Sequence, residues 1–287
     1  MTKPTRLTFE GAHGVALAAS AFGDPEAPPV LLLHGGGQTR HSWDGTARIL
    51  GERGFRAITI DARGHGESGW DPGRRYRLDA FADDLERILA SFDRPVPVVG
   101  ASLGGNTAML VAGERHARLK AIVLVDIGPK IEANGVRRIF EFMKARPDGY
   151  AHLDEVADAV AAYQPHRERP KDVSGLAKNL RQREDGRWYW HWDPAFLEEM
   201  FVPQPEMGPR LEAAARHLAC PVLLVRGKLS DLLSEEGAKT FLSLCPHAEY
   251  VDVHGAAHMV AGDRNDVFTN AVVEFLVRVD GRADAAE

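Results

Sequence analysis

Short apolar runs, bounded by glycine, proline or aspartate, recur along the chain and alternate with segments of helical periodicity. PVLLLHG (29–35), FRAITID (55–61), PVPVVGAS (95–102) and KAIVLVD (120–126) have the length and the near-continuous apolar character of strands buried on both faces, and PVLLVRG (221–227) and AEYVDVHG (248–255) follow much later. An opening pair, RLTFEG (6–11) and GVALAASAFG (14–23), adds two more strands. Between them, LDAFADDLERILASF (78–92), SEEGAKTFLSLC (234–245) and DVFTNAVVEFLVRV (266–279) repeat apolar residues at helical spacing. This alternation predicts an α/β fold with a mostly parallel sheet covered by helices on both faces.

One interval interrupts the rhythm. Residues 127–218 contain no buried-strand pattern, only helical stretches such as VRRIFEFMKA and LDEVADAVAAY and a segment, RQREDGRWYWHWDP, that reads as a small hairpin turning at Asp185-Gly186. An insert of this length between two sheet strands is expected to sit above the sheet as a cap. The core then comprises 1–126 and 219–287, and the cap 127–218. The aromatic run Trp188-Tyr189-Trp190-His191-Trp192 is expected to put at least one ring against a ligand, because concave sites are lined by such residues. The polar end, DGRADAAE, is expected to fray.

Composition narrows the classes. Apolar residues are 44% of the 287 and charged residues 26%, the balance of one large globular unit. A net charge of −6 argues against a nucleic-acid partner. The opening MTKPTRLTFEG lacks the apolar centre of a secretory signal, and no apolar stretch is long enough to span a bilayer, so a cytoplasmic location without membrane attachment is expected. The two cysteines, Cys220 and Cys245, read as thiols rather than a disulfide in that compartment. No metal-ligand spacing appears, and HGGGQTRH lacks the Lys-Ser/Thr ending of a phosphate loop; neither a metal nor a cofactor is expected.

Ligands of open α/β sheets bind beyond the carboxyl ends of the strands. Chemically capable residues fall at those ends: Ser102, the His34-Gly35-Gly36-Gly37 turn, Asp126, Asp231 and His258. A serine hydroxyl becomes a nucleophile only beside a base that a carboxylate orients, and the oxyanion it creates needs waiting donors. Ser102, fenced by glycines in VVGASLGG where a strand meets a helix, is placed for that role, with the Leu103 N–H as one donor and the Gly36 N–H as the second. His254, four residues before His258, is the runner-up base; His34 and His65 read as loop-bracing residues.

The motifs LLLHGGG (31–37), DARGHGES (61–68), GASLGG (100–105) and GAAHMV (255–260), in this order, make the chain resemble the α/β-hydrolase fold superfamily over nearly all its length outside the cap. The resemblance implies a twisted, mostly parallel sheet of about eight strands, with a mainly helical cap inserted after the sixth. It also implies Ser102 as nucleophile, His258 as base, and the Gly36 and Leu103 amides as the oxyanion hole. The acid departs from the commonest pattern, whose position is occupied by Ser230 in RGKLSD, with Asp231 one residue late. VDIGP (125–129) instead resembles small-acyl esterases whose acid follows strand six, which favours Asp126 and keeps Asp231 as the alternative. Gly35, Gly37, Trp188, Trp190, His191, Trp192 and Met259 are candidate pocket residues.

The expected activity is cofactor-free hydrolysis of a small or medium ester, lactone or thioester through an acyl-enzyme. The same machinery would serve a C–C bond hydrolase of the meta-cleavage-product type or a perhydrolase of the haloperoxidase type. A small-molecule receptor on the same scaffold is the alternative of another class. The serine at the elbow disfavours the aspartate-nucleophile epoxide hydrolases and dehalogenases. A small-molecule substrate is the expected partner, and assembly as a homodimer is compatible with the sequence.

Overall fold

The computed structural model describes residues 3–165, 168–200, 202–258 and 265–281. Eight strands form one sheet: β1 (Thr5–Glu10), β2 (Ala16–Phe22), β3 (Pro29–Leu33), β4 (Arg56–Ile60), β5 (Val98–Ala101), β6 (Ile122–Val125), β9 (Val222–Gly227) and β10 (Glu249–Val253), in the order β1-β2-β4-β3-β5-β6-β9-β10. β2 runs antiparallel to both β1 and β4, and the other neighbours are parallel. Every residue of β6 and β9 is buried, which is why these strands are unbroken in apolar character apart from Arg226 and Gly227. Arg226 is satisfied by the Leu233 carbonyl and the Asp252 carboxylate.

The two faces are covered as the alternation requires. α1 (Asp44–Glu52) and α9 (Asn265–Val279) close one face over Trp43, Phe55, Phe268 and Phe275. α2 (Leu78–Ala90), α3 (Leu103–Gly113), α7 (Met207–Arg216) and α8 (Glu235–Leu244) cover the other. α2 buries Leu78, Phe81, Ala82, Leu85 and Ile88, one stripe at helical spacing. α3 is buried all round except at Asn106, consistent with its place between the sheet and the outer helices.

Between β6 and β9 the chain forms α4 (Ala133–Lys144), α5 (Leu153–Tyr163), the hairpin of β7 (Leu180–Gln182) and β8 (Trp188–Trp190), and α6 (Pro194–Met200) before α7. The hairpin turns through Gly186 at φ +76°, with its N–H on the Arg183 carbonyl. Tyr150 bridges to Trp188 through paired backbone hydrogen bonds of 2.7 and 2.8 Å, so the hairpin is anchored to the segment between α4 and α5. α7 lies against α3 in the layer under the sheet rather than above it; Gly113 of α3 faces the Ala214 backbone too closely for any side chain.

The insert also grips the turn after β4. The Asp193 N–H donates to the Gly64 carbonyl (2.8 Å), the Tyr76 hydroxyl donates to the Asp193 carboxylate (2.6 Å), and Arg181 donates to the Gly66 carbonyl (2.5 Å). Cys220 and Cys245 carry free thiols, and burial pushes both up in pKa, Cys245 to about 11. Among the described residues, no helix is long and apolar enough to cross a membrane.

Candidate active site

The glycines around Ser102 answer to both packing and chemistry. A Cβ on Gly100 would lie 2.5 Å from the Gly104 carbonyl carbon, one on Gly104 the same distance from the Leu33 carbonyl oxygen, and one on Gly105 2.5 Å from Ile127 Cγ2. α3 therefore starts pressed against β3 and β5, and only glycine fits. Ser102 itself sits at φ 47°, ψ −110°, where an L-residue carries strain of about 1–3 kcal/mol. Its N–H is held by the Val125 carbonyl (3.2 Å), and its carbonyl accepts from Asn106 in the first turn of α3 (2.9 Å). The sharp turn presents the hydroxyl beyond the sheet edge at a helix N-terminus.

Asp126 directly follows β6, also at a positive φ (50°), and is fully buried. One carboxylate oxygen, Oδ1, accepts from the Gly227 N–H (3.1 Å). The other, Oδ2, accepts from Ser230 Oγ (2.5 Å) and lies 2.7 Å from His258 Nδ1. The carboxylate thus has its charge met by three donors, which satisfies a buried anion. Ser230, the residue that departs from the commoner acid position, braces Asp126 instead, and its oxygen also accepts the Leu232 and Leu233 N–H groups (3.1 and 3.2 Å). Asp231 points elsewhere: it is half-exposed and pairs with Arg138 at 2.9 Å. His254 is exposed, beyond the end of β10.

Ser102 and His258 share a cavity of about 410 Å³ under the insert. Gly35, Gly36, Gly37 and Leu103 line it beside Ser102; Trp190 and Trp192 line it from the hairpin, their rings stacked at 5.1 Å and 11°. The remaining wall is largely aliphatic and aromatic, with carboxamides at Gln38, Asn106, Gln164 and Asn179. Among the described residues lining it there is no carboxylate, lysine or arginine. Trp188 and His191 are not in that wall. Trp188 packs behind it with Tyr150, Val156 and Leu180, and His191 is buried against the loop after β3. Met259 lies outside the described residues.

The loop after β3 has a definite donor pattern. The Gly35 N–H donates to Gln38 Oε1 (3.2 Å) and the Gly37 N–H to His65 Nε2 (3.1 Å). Gly36 and Leu103 are then the two amides beside Ser102 with no protein acceptor among the described residues. A Cβ on Gly35 would stand 3.3 Å from Ser102 Cβ, a tight contact that would press on the nucleophile. Sequence reasoning missed the part played by Ser230. A single serine in a loop has no periodicity to reveal it, although the displaced aspartate beside it marked the position as unusual. Among the described residues, no three His, Cys, Asp or Glu side chains gather as a metal site would need.

Comparison with known proteins agrees with this architecture. A family model described as the alpha/beta hydrolase fold matches residues 28–264. An esterase of Mycobacterium tuberculosis is 29% identical over 260 residues, covering 87% of this chain and 82% of that one. A 3-hydroxybutyrate-oligomer hydrolase of Cupriavidus necator is 27% identical over 256 residues, covering 84% and 86%. Among solved structures, an E-2-(acetamidomethylene)succinate hydrolase superposes with a TM-score of 0.81 at 22% identity, covering 95% of this chain and 99% of that one, a likeness of fold. The M. tuberculosis esterase superposes at 0.74 with 25% identity, covering 98% and 93%. With the strand order, the elbow at Ser102 and the family match over most of its length, the chain belongs to the α/β-hydrolase fold family and is a hydrolase.

Proposed function

We propose that the protein is a serine esterase for uncharged acyl groups, working through an acyl-enzyme without a cofactor. The observation that carries this reading is the buried Asp126 carboxylate 2.7 Å from His258 Nδ1, with His258 and Ser102 opening on one cavity. The Asp126 contact fixes the imidazole with its proton on Nδ1, leaving Nε2 as the base. Ser102 Oγ attacks the ester carbonyl as its proton passes to His258 Nε2. The oxyanion is met by the Gly36 and Leu103 N–H groups. The C–O bond to the alcohol breaks as His258 returns the proton to the leaving oxygen. Water, deprotonated by the same nitrogen, then attacks the acyl-enzyme and releases the acid and free Ser102.

The substrate class follows from the wall. A buried carboxylate on the substrate would need a cation or a dense set of donors, and the described lining has no lysine or arginine: apart from the Ser102–His258 pair its donors are carboxamides, Ser42, Tyr163, two tryptophans and backbone amides, all neutral. This favours a neutral ester over C–C cleavage of ring-fission products, which carry a carboxylate. The relative named an esterase supports the reading, and the one named for 3-hydroxybutyrate oligomers suggests that oxygen-bearing acyl chains also belong among the substrates tried.

A fluorophosphonate probe is expected to label the folded protein stoichiometrically at Ser102, and Ser102→Ala is expected to abolish both labelling and turnover. p-Nitrophenyl butyrate is expected to be cleaved at least tenfold faster, in kcat/KM, than the p-nitrophenyl half-ester of succinate. An unlabelled, folded wild-type protein would end the serine mechanism; a preference for the half-ester would end the neutral-substrate assignment.

A further inference from the structure

Three histidines outside the Ser102–His258–Asp126 set form a column beside the loop that carries Gly36. His34 and His65 have ring centroids 5.2 Å apart, His65 and His191 5.7 Å apart, and all three are buried. Both nitrogens of every ring meet the backbone. His34 Nδ1–H donates to the Gly35 carbonyl (2.8 Å), and Nε2 accepts from the Ala62 N–H (3.0 Å). His65 Nδ1–H donates to the Arg63 carbonyl (2.9 Å), and Nε2 accepts from the Gly37 N–H (3.1 Å). His191 Nδ1 accepts from the Gly66 N–H (2.7 Å), and Nε2–H donates to the Gly37 carbonyl (3.3 Å).

These partners settle the tautomers. A peptide N–H can only donate and a peptide carbonyl can only accept, so each ring carries one proton and is neutral. Burial acts in the same direction: it lowers all three, His65 to about 3 and His191 well below the ordinary histidine value. None of the three rings has a nitrogen left to exchange protons with substrate. Their work is mechanical.

What they hold is specific. The Gly36 N–H belongs to the planar peptide that also contains the Gly35 carbonyl, so fixing that carbonyl fixes the direction of the N–H. The Gly35 carbonyl accepts from His34 and from the Gln38 N–H (3.1 Å). The next peptide is fixed by His65 at the Gly37 N–H, and the one after by His191 at the Gly37 carbonyl. Gly37 has φ +75° and no side chain to wedge it in place. Of the three histidines only His191 comes from the insert between β6 and β9. It follows β8 directly, and its ring stands edge-on to Trp192, whose indole lines the cavity (5.4 Å, 83°).

We infer that His191 is a positioning residue for catalysis, seating the cap on the Gly37 carbonyl so that the Gly36 N–H is aligned to receive the oxyanion. The inference rests on the serine-esterase reading above. It assigns the cap a part in the chemical step as well as in enclosing substrate. A donor misplaced by about 1 Å can cost ~100-fold in rate, so loss of this grip is expected to lower kcat about ten- to a hundredfold and to leave KM within about twofold.

Three substitutions separate this role from simple packing. His191→Phe keeps a ring against Trp192 and removes both hydrogen bonds. His191→Asn keeps an acceptor for Gly66 and is too short for Gly37. His191→Gln retains an N–H that reaches Gly37. Assayed with p-nitrophenyl butyrate and with the fluorophosphonate, His191→Phe and His191→Asn are expected to lose kcat and labelling rate in parallel, while His191→Gln stays within a fewfold of wild type. If His191→Phe does not fold, the Asn and Gln pair carries the comparison alone. Folded variants with unchanged kcat, or with losses confined to KM, would overturn the inference. Wild type that fails to label at Ser102 would instead remove the reading beneath it.

Discussion

At the scale of single residues, the site turns on which aspartate serves His258. Asp126 is buried, accepts from Gly227 and Ser230, and lies 2.7 Å from the imidazole, whereas Asp231 makes a half-exposed pair with Arg138. Asp126→Asn is expected to reduce kcat by about 10⁴-fold, by analogy with the serine-protease triad, because the amide cannot hold the same histidine tautomer. Asp231→Asn removes a surface ion pair worth about 0–1 kcal/mol and is expected to leave kcat within a fewfold. Steady-state rates on one neutral ester, with circular dichroism as a folding control, check both; equal effects would overturn the assignment. Short motifs at strand ends singled out Ser102 and His258 in the chain and favoured Asp126 as the acid while leaving Asp231 open. The roles of Ser230 and His191 were not legible there, because the partners that define them are backbone groups and side chains supplied by remote segments.

At the scale of elements, the elbow shows why glycine recurs there. Gly100, Gly104 and Gly105 let α3 start in contact with β3, β5 and Ile127. Gly104→Ala would drive a methyl into the Leu33 carbonyl, and overpacking of this kind costs about 1–3 kcal/mol. A lowered melting temperature is expected together with a lower kcat, since the helix start carries the Leu103 N–H and Ser102. The melt and the rate measured on one preparation check this, and a fully stable Gly104→Ala protein would contradict the close approach. Apolar periodicity marked every strand of the main sheet to within a few residues, as with PVLLLHG against Pro29–Leu33 and PVLLVRG against Val222–Gly227. It placed the hairpin turn at Gly186 correctly and expected the whole of 127–218 above the sheet, whereas α7 lies in the layer beneath it. An amphipathic helix records that one stripe is buried, not which surface buries it.

At the scale of the molecule, burial of three neutral imidazoles between the core and the insert has a consequence for stability. Their folded-state pKa values lie below the unfolded value, so the unfolded chain binds protons that the folded one does not. The stability is fully present above about pH 6.5 and is lost progressively as pH falls toward the folded values, which for His65 is about 3. His65 alone is expected to withdraw ~2 kcal/mol between pH 8 and pH 5. Urea unfolding at the two pH values checks the sign, and His65→Gln should flatten the dependence. A protein equally stable at both would contradict the neutral column.

The sequence by itself determined the α/β alternation, the strand ends, the serine elbow and the membership that its motifs announce, because these reside in local periodicity and in residues adjacent along the chain. Tertiary structure alone decided that Asp126 rather than Asp231 meets His258, that Ser230 braces the carboxylate, that Trp190 and Trp192 face the cavity while Trp188 does not, and that His191 grips Gly37. Hydrogen bonds act over about 3 Å. Which groups come that close depends on how segments a hundred residues apart are stacked, and a linear pattern does not record that.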